Sequence, residues 1–206
     1  MNLWTILPVK SLDQTKSRLA SVLSPDERAE LTLHLLERTL RLLPLVPKLG
    51  GTAVITQDPL VAQMAIRLGC RTLAESPGSG LNGAVTAGVA SATKHGASHC
   101  LILPSDLPFL QTDELAELVG LVETAVPDRT LILCSDRQQQ GTNALVVPTG
   151  FGFRFAYGRN SFHYHQQEAA RLGLPCQIVH LPGLQFDLDT EEDFALYTKN
   201  DCSLPS

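Results

Sequence analysis

The sequence has 206 residues, of which 44% are hydrophobic and 18% are charged, a composition that is ordinary for one globular domain with a substantial core. Its net charge of −5 argues against a nucleic-acid partner, because proteins that bind nucleic acid usually carry a basic face. No run of eighteen apolar residues is present, so we expect neither a membrane span nor a membrane partner.

The cysteines favour a reducing compartment. They are odd in number, contain no Cys-x-x-Cys pair and lie mostly in or beside apolar runs, a pattern typical of buried free thiols. The N-terminus also lacks the charged start and long apolar core of a signal peptide. We therefore expect a cytoplasmic protein. The sequence gives no oligomeric state and leaves a homodimer open.

Short apolar runs alternate with helical patterns along the chain. The predicted strands are Leu3–Leu7, Thr52–Thr56, Arg71–Ala74, Cys100–Leu103, Thr130–Cys134, Ala144–Val147 and Gln177–Leu181. Helices are predicted from Ser24 onward and over Asp58–Leu68, Leu81–Lys94, Thr112–Val122, Phe162–Leu172 and Glu191–Lys199. Strands separated by helices of this length predict parallel crossovers and a three-layer α/β sandwich. Residues 1–199 are expected to form a single domain, followed by a polar tail over residues 200–206.

The clearest helix signal begins at Ser24. Its side chain can cap the helix, Pro25 suits the first helical position, and Glu27 completes a capping box. Behind it, one apolar stripe is expected to face a sheet, formed by Ala29, Leu33, Leu36, Leu40 and Leu43.

The first candidate site is the segment PVKSLDQTKSRLA, which follows the first predicted strand. Open α/β sheets bind ligands outside the carboxyl ends of their strands. The segment has no glycine, so neither a dinucleotide fingerprint nor a P-loop is present. We expect the side-chain cations Lys10, Lys16 and Arg18 to neutralise an anionic ligand. The alternative is a solvated basic turn.

Two acidic segments are candidate metal sites. Asp106 lies between two prolines in an apolar turn, where an unpaired carboxylate would be costly, so we expect a metal or another cation beside it. Asp187 and Asp189 are two residues apart, and on an extended segment both carboxylates point the same way. Hard carboxylate oxygens suit Mg²⁺. The alternatives are a salt bridge or helix cap at Asp106, and a helix N-cap at Asp189 or Thr190.

Three further segments offer donors to a ligand. In GLNGAV, Asn82 can read a base or a ribose, or it can simply cap a helix. In GTNAL and YGRNSF, short hydroxyl, amide and backbone donors of the type that hold phosphate or carboxylate are Thr142, Asn143, Gly158 and Ser161. His163 and His165 alternate like a metal pair, but they would diverge on a helix, so we expect no zinc site.

Taken in order, these segments resemble the phospholactate guanylyltransferases of the deazaflavin (coenzyme F-420) pathway, relatives of the molybdenum-cofactor guanylyltransferases. The matching segments are PVK…KSRL, SPDER, GLNGAV, LPSDLPFL, GTNAL, YGRNSF and DLDTEED. The resemblance implies a Rossmann-like three-layer sandwich with a mostly parallel mixed sheet. It also implies GTP as co-substrate, Mg²⁺ (or Mn²⁺) as cofactor and diphosphate as product.

The resemblance implies roles for individual residues. Thr142, Gly158 and Ser161 are expected to contact the phosphorylated acid, and Asp106, Asp187 and Asp189 to hold metal. The nucleotide is expected against Pro8, Val9, Lys10, Leu81, Asn82 and Asp106. Members of the family differ in using 2-phospholactate, phosphoenolpyruvate or 3-phosphoglycerate. Tyr157 stands where a Phe is usual, and the guanidinium of Arg159 leaves the acceptor open.

The implied chemistry needs no strong general base, because a phosphomonoester is mostly dianionic at neutral pH. It needs charge neutralisation and in-line positioning of two polyanions. Two alternatives remain: a related transferase using a sugar phosphate or a molybdopterin-type acceptor, and a non-catalytic nucleotide-binding protein. The altered glycine loop argues against the molybdopterin acceptor, and retention of the aspartates and the basic loop argues against loss of catalysis.

Overall fold

A seven-stranded mixed sheet organises the protein. The computed structural model describes residues 2–76, 78–126 and 129–200. The strands lie in the order β3-β2-β1-β4-β6-β5-β7, and β6 runs antiparallel to both of its neighbours while all other pairs are parallel. Their bounds are β1 Leu3–Pro8, β2 Leu49–Thr56, β3 Arg71–Ala74, β4 His99–Ile102, β5 Leu131–Ser135, β6 Thr142–Pro148 and β7 Cys176–Val179.

Helices cover both faces of this sheet. Their bounds are α1 Pro25–Leu42, α2 Pro59–Arg67, α3 Gly80–Lys94, α4 Thr112–Thr124, α5 Ser161–Arg171, α6 Pro182–Gln185 and α7 Glu191–Asn200. Alternate residues of β1 enter different cores: Leu3 and Leu7 pack with α1, α2 and α4, whereas Trp4 and Ile6 pack with α3 and α5. The predicted three-layer sandwich with a mostly parallel mixed sheet is therefore confirmed.

Helix α1 is buried on two sides. The predicted capping box is present, with Glu27 N–H donating to Ser24 Oγ and Ser24 N–H donating to the Glu27 carboxylate. Leu36 and Leu40 face the sheet as expected, but Leu31 and Leu35 are also buried. They join a separate cluster with Leu19, Phe186, Leu188 and Tyr197. The predicted stripe was too narrow because the segments after β1 and before α7 cover the helix on its second side.

Other differences concern short elements and ends. Three 3-10 turns and α6 were not predicted, since three or four residues are too few to show a helical period. The described cysteines are free, with Cys100 and Cys134 buried and Cys176 exposed. Asn200, which was assigned to the tail, ends α7, and residues 201–206 lie outside the described residues. No helix in the described ranges has the length and apolar character needed to cross a membrane.

The strand order gathers the candidate segments at one edge. The chain moves from β1 to β2 and β3 on one side, whereas β4 lies on the other side of β1, so the order reverses between β1 and β4. Such a switch point leaves a crevice beyond the carboxyl ends of the strands. Because β6 is antiparallel to β4, with Leu145 opposite Ile102, its first residue, Thr142, lies at that same edge. The acceptor and metal candidates therefore meet without being near in sequence.

Candidate active site

A cavity of about 450 Å³ opens at this edge of the sheet. Its walls come from the loop after β1, the start of α3, the turn after β4, the start of β6 and the segment before α7. The predicted site residues that line it are Pro8, Val9, Lys10, Lys16, Arg18, Leu81, Asp106, Thr142, Asn143, Asp187 and Asp189. Asn82, Gly158 and Ser161 do not line it.

Lys16 joins three of these walls. Its ammonium donates to Asp106 Oδ2 at 2.6 Å and also to the backbone carbonyl of Leu188. The Leu188 N–H in turn donates to the Asp106 carbonyl at 3.0 Å. The lysine side chain is only 4% exposed and its backbone has a left-handed φ of 50°, a conformation that few residues other than glycine adopt. The loop after β1 is therefore folded inward so that this one side chain can bind both acidic segments.

The other two predicted cations are placed differently. Arg18 pairs with Asp189 at 2.7 Å on the rim of the cavity, where the arginine is largely exposed. Lys10 is exposed and makes no hydrogen bond or ion pair with any residue that the structure describes. Its charge is thus the one most available to an anionic ligand entering the cavity.

Asp106 and Asp187 form an under-compensated acidic pair. Oδ1 of Asp106 is buried and has no hydrogen-bond partner in the described part of the chain. Burial, and next the charge of Asp106, raise the pKa of Asp187, while a 3.2 Å hydrogen bond from Asn143 Nδ2 opposes the rise. Two neighbouring carboxylates with an unused buried oxygen fit a divalent cation. Its charge would offset both the cost of burying the carboxylates and the repulsion between them.

The third aspartate is not grouped with this pair. Within residues 2–76, 78–126 and 129–200, no three acidic, His or Cys side chains are clustered as metal ligands. Asp189 lines the cavity but directs its carboxylate to Arg18. The alternative of an N-cap applies to Thr190, whose Oγ1 accepts from Asp193 N–H while Asp193 Oδ2 accepts from Thr190 N–H. Neither Asp187 nor Asp189 is therefore the cap of α7, and both line the cavity.

Buried polar groups support the hydroxyl side of the cavity. Ser161 Oγ donates to Thr142 Oγ1 at 3.2 Å, and His165 Nδ1 lies 3.0 Å from the same oxygen. The other ring nitrogen of His165 accepts from Ala156 N–H at 3.1 Å. Sequence reasoning gave His165 no role, although its spacing of four from Ser161 places both on one helix face.

Asn82 holds the loop before α5 instead of facing the cavity. Its Oδ1 accepts from Tyr157 N–H at 2.6 Å, and its Nδ2 donates to the Tyr157 carbonyl at 3.2 Å. Both ends of the amide are therefore engaged, so the geometry gives no support to base recognition by Asn82. In the same loop Gly158 has a φ of 132° and accepts from Ser161 N–H at 3.1 Å.

A second cavity of about 330 Å³ adjoins the first. Pro8, Val9, Lys10 and Leu81 line both cavities. The second is also lined by Gln57 and Glu75, which directly follow β2 and β3. Neither residue was predicted, because single polar residues after strands form no recognisable motif.

Comparison with known proteins agrees with the resemblance drawn from the sequence. A family model described as "Guanylyl transferase CofC like" matches residues 3–197. The chain belongs to this family. It is thus an enzyme of the guanylyltransferase type, and the corresponding expectation is confirmed.

Individual relatives of this guanylyltransferase cover nearly the whole chain. The phosphoenolpyruvate guanylyltransferase of Sphaerobacter thermophilus is 38% identical over 91% of this chain and 88% of the relative. The 3-phospho-D-glycerate guanylyltransferase of Phenylobacterium zucineum is 31% identical over 96% and 90%. Among solved structures, a putative nucleotide-diphospho-sugar transferase from Desulfovibrio desulfuricans has a TM-score of 0.75 at 16% identity, covering 98% of this chain and 90% of that one. At this identity the structural likeness concerns the fold.

The buried imidazole of His165 predicts a pH dependence of stability. Burial lowers its pKa from 6.5 to about 4, weakly opposed by the charge of Glu168. The unfolded chain therefore takes up a proton near pH 6.5 that the native state resists. This contribution to the stability of the native state is therefore fully present above pH 6.5 and decreases as the pH falls toward 4. The total loss from this one group is about 3 kcal/mol.

Urea unfolding of the wild type and of His165→Gln at pH 7.5, 5.5 and 4.5 measures this effect. We expect the free energy of unfolding of the wild type to decrease more steeply than that of the variant as the pH is lowered from 7.5 to 4.5. Parallel curves would show that His165 titrates normally.

Proposed function

We propose that this enzyme transfers GMP from GTP to the phosphate of a small phosphorylated carboxylic acid, with release of diphosphate, as a step of deazaflavin coenzyme synthesis. The observation that carries the proposal is the meeting, at one switch point, of a carboxylate pair suited to Mg²⁺, the exposed Lys10 and the buried polar residues Thr142 and Asn143. GTP and three-carbon phospho-acids are cytoplasmic metabolites, so we infer that the enzyme works in the cytoplasm.

The acceptor that we favour is phosphoenolpyruvate. It is the acceptor named for relatives that are 38% identical, whereas 3-phospho-D-glycerate is named for one that is 31% identical. A compact anion also suits the short donors Thr142 and Asn143 at this wall. A sugar phosphate or a pterin would place a bulky, mostly uncharged group against these short donors.

The residues of the cavity would act by position and charge. A phosphate oxygen of the acceptor attacks the α-phosphorus of GTP, the new P–O bond forms, and the bond to the β-phosphate oxygen breaks to release diphosphate. Asp106 and Asp187, with Asp189 nearby, would hold Mg²⁺, which stabilises negative charge on the phosphates when bound. Lys10 would bring its charge to the anions, and Lys16, which binds Asp106 Oδ2, would fix this carboxylate and leave its Oδ1 for the metal.

We place the guanine base in the second cavity. Guanine presents two adjacent donors, N1–H and the exocyclic amine, and one carboxylate can accept both. Glu75 is the carboxylate that lines this cavity, with the Gln57 amide beside it. Adenine presents an acceptor at N1, which would face the carboxylate without a proton between them.

The test of the proposed function is a product assay. The protein is incubated with Mg²⁺, GTP and, separately, phosphoenolpyruvate, 3-phosphoglycerate, 2-phospholactate and glucose 1-phosphate, and the products are identified by mass. We expect a guanosine diphosphate-linked acid and stoichiometric diphosphate with phosphoenolpyruvate. If GMP were transferred only to the sugar phosphate, the proposed class of acceptor would be wrong. If no diphosphate were released with any acceptor, the proposed catalysis would be refuted.

Removal of metal ligands should abolish most turnover without unfolding the protein. We expect Asp106→Asn and Asp187→Asn each to lower kcat by roughly a hundredfold to a thousandfold, the loss typical of a well-placed electrostatic group. Circular dichroism checks the fold, and Asp13→Asn, an exposed carboxylate near the same loop, is the control. Wild-type turnover in Asp106→Asn would contradict the metal assignment.

Base selectivity should depend on Glu75. We expect Glu75→Gln to lower kcat/KM for GTP about tenfold to a hundredfold and to narrow its preference over ATP, because one acceptor oxygen becomes a donor. The acceptor KM should stay within about twofold. Glu30→Gln, an exposed carboxylate on α1, is the matched control. If the ratio of kcat/KM for GTP to that for ATP were unchanged, the assignment of the guanine base to this cavity would be wrong.

A further inference from the structure

His165 is a fully buried polar side chain behind Thr142, one of the residues to which the acceptor is assigned. It lies on α5, four residues after Ser161, and its ring packs edge-on against Tyr157 with ring centroids 4.8 Å apart. A second aromatic ring, that of Phe153, lies 5.8 Å away. These contacts hold the imidazole in one orientation, so the direction of each ring nitrogen is fixed.

The hydrogen bonds also fix which nitrogen carries the proton. The backbone N–H of Ala156 can only donate, so Nε2 of His165, 3.1 Å away, must accept. A neutral imidazole that accepts at Nε2 carries its proton on Nδ1. Nδ1 therefore donates to Thr142 Oγ1 across 3.0 Å.

These hydrogen bonds leave the proton of the Thr142 hydroxyl available for donation to a ligand. A threonine hydroxyl has two lone pairs and one proton. Its lone pairs accept from His165 Nδ1 and from Ser161 Oγ, which lies 3.2 Å away. Its own proton has no acceptor among the described residues, and Thr142 lines the 450 Å³ cavity.

We propose that His165 is a positioning residue that orients the Thr142 hydroxyl as a donor to the anionic acceptor. The inference rests on the proposed function, because it assigns the acceptor to the Thr142 wall. It adds a division of labour: Thr142 donates to the substrate, whereas Ser161 and His165 set the direction of that donation. A hydroxyl that is free to rotate would present a lone pair to the anion in part of its conformations.

The test is a double-mutant cycle read out with GTP and phosphoenolpyruvate. We expect His165→Leu and Thr142→Val each to raise the acceptor KM about tenfold to a hundredfold, with the KM for GTP changed less than about twofold. Because both act through one hydrogen bond, the double variant should be no worse than Thr142→Val alone. His163→Leu, an exposed histidine on the same helix, is the control and should match the wild type.

Conservative variants separate orientation from packing. His165→Asn retains an N–H near the position of Nδ1 and should restore the acceptor KM to within severalfold of the wild type. His165→Gln retains a polar group only near Nε2 and should resemble His165→Leu. Equal behaviour of the two amides, or additive losses in the cycle, would overturn the proposal.

A spectroscopic measurement covers the case in which the variants fail to fold. The ¹⁵N NMR shifts of the His165 ring in the wild-type protein at pH 7 should show a neutral imidazole protonated at Nδ1. Protonation at Nε2 would overturn the inference. Failure of the wild type to transfer GMP to any phospho-acid would instead refute the proposed function, and the NMR result would stand apart from it.

Discussion

A buried ammonium holds the site together. Lys16 is the shared partner of the Asp106 carboxylate and the Leu188 carbonyl, so it ties the loop after β1 to both acidic segments. Removing one partner of a buried ion pair costs roughly 3–5 kcal/mol, because the other charge is left without compensation. The left-handed backbone at Lys16 adds local strain. The intact ion pair and this strained residue therefore lie together beside the acidic segments that line the cavity.

The single antiparallel strand gives the site its second half. A purely parallel sheet would send β6 away from the carboxyl end of β4, and Thr142 would lie at the opposite edge. Reversal of β6 brings its first two residues beside the Asp106 turn, with Asn143 bonded to Asp187. The polar residues at the start of β6 and the candidate metal ligands thus line one cavity because of the direction of this strand.

The sequence predicted the fold and most of the residues that line the cavity, because both depend on local signals. Short apolar runs located the seven strands and helical patterns located the longer helices, while the junctions between strands and loops marked the candidate site. Local signals do not show which partner each polar side chain binds. They cannot show that Lys16 turns inward while Lys10 has no partner among the described residues. Nor do they show that Asn82 binds the Tyr157 backbone. His165 was missed because its role depends on a contact with Thr142, 23 positions away.

The clamp between Asn82 and Tyr157 has a mechanical consequence. The first turn of helix α3 joins the two cavities to the loop that leads into α5: Leu81 lines both cavities, and the neighbouring Asn82 binds the Tyr157 backbone in that loop. A rigid helix transmits displacement along its whole first turn, so any shift of Leu81 against an incoming nucleotide moves Tyr157 with it. A nucleotide that displaces Leu81 would therefore also shift the loop that leads into α5.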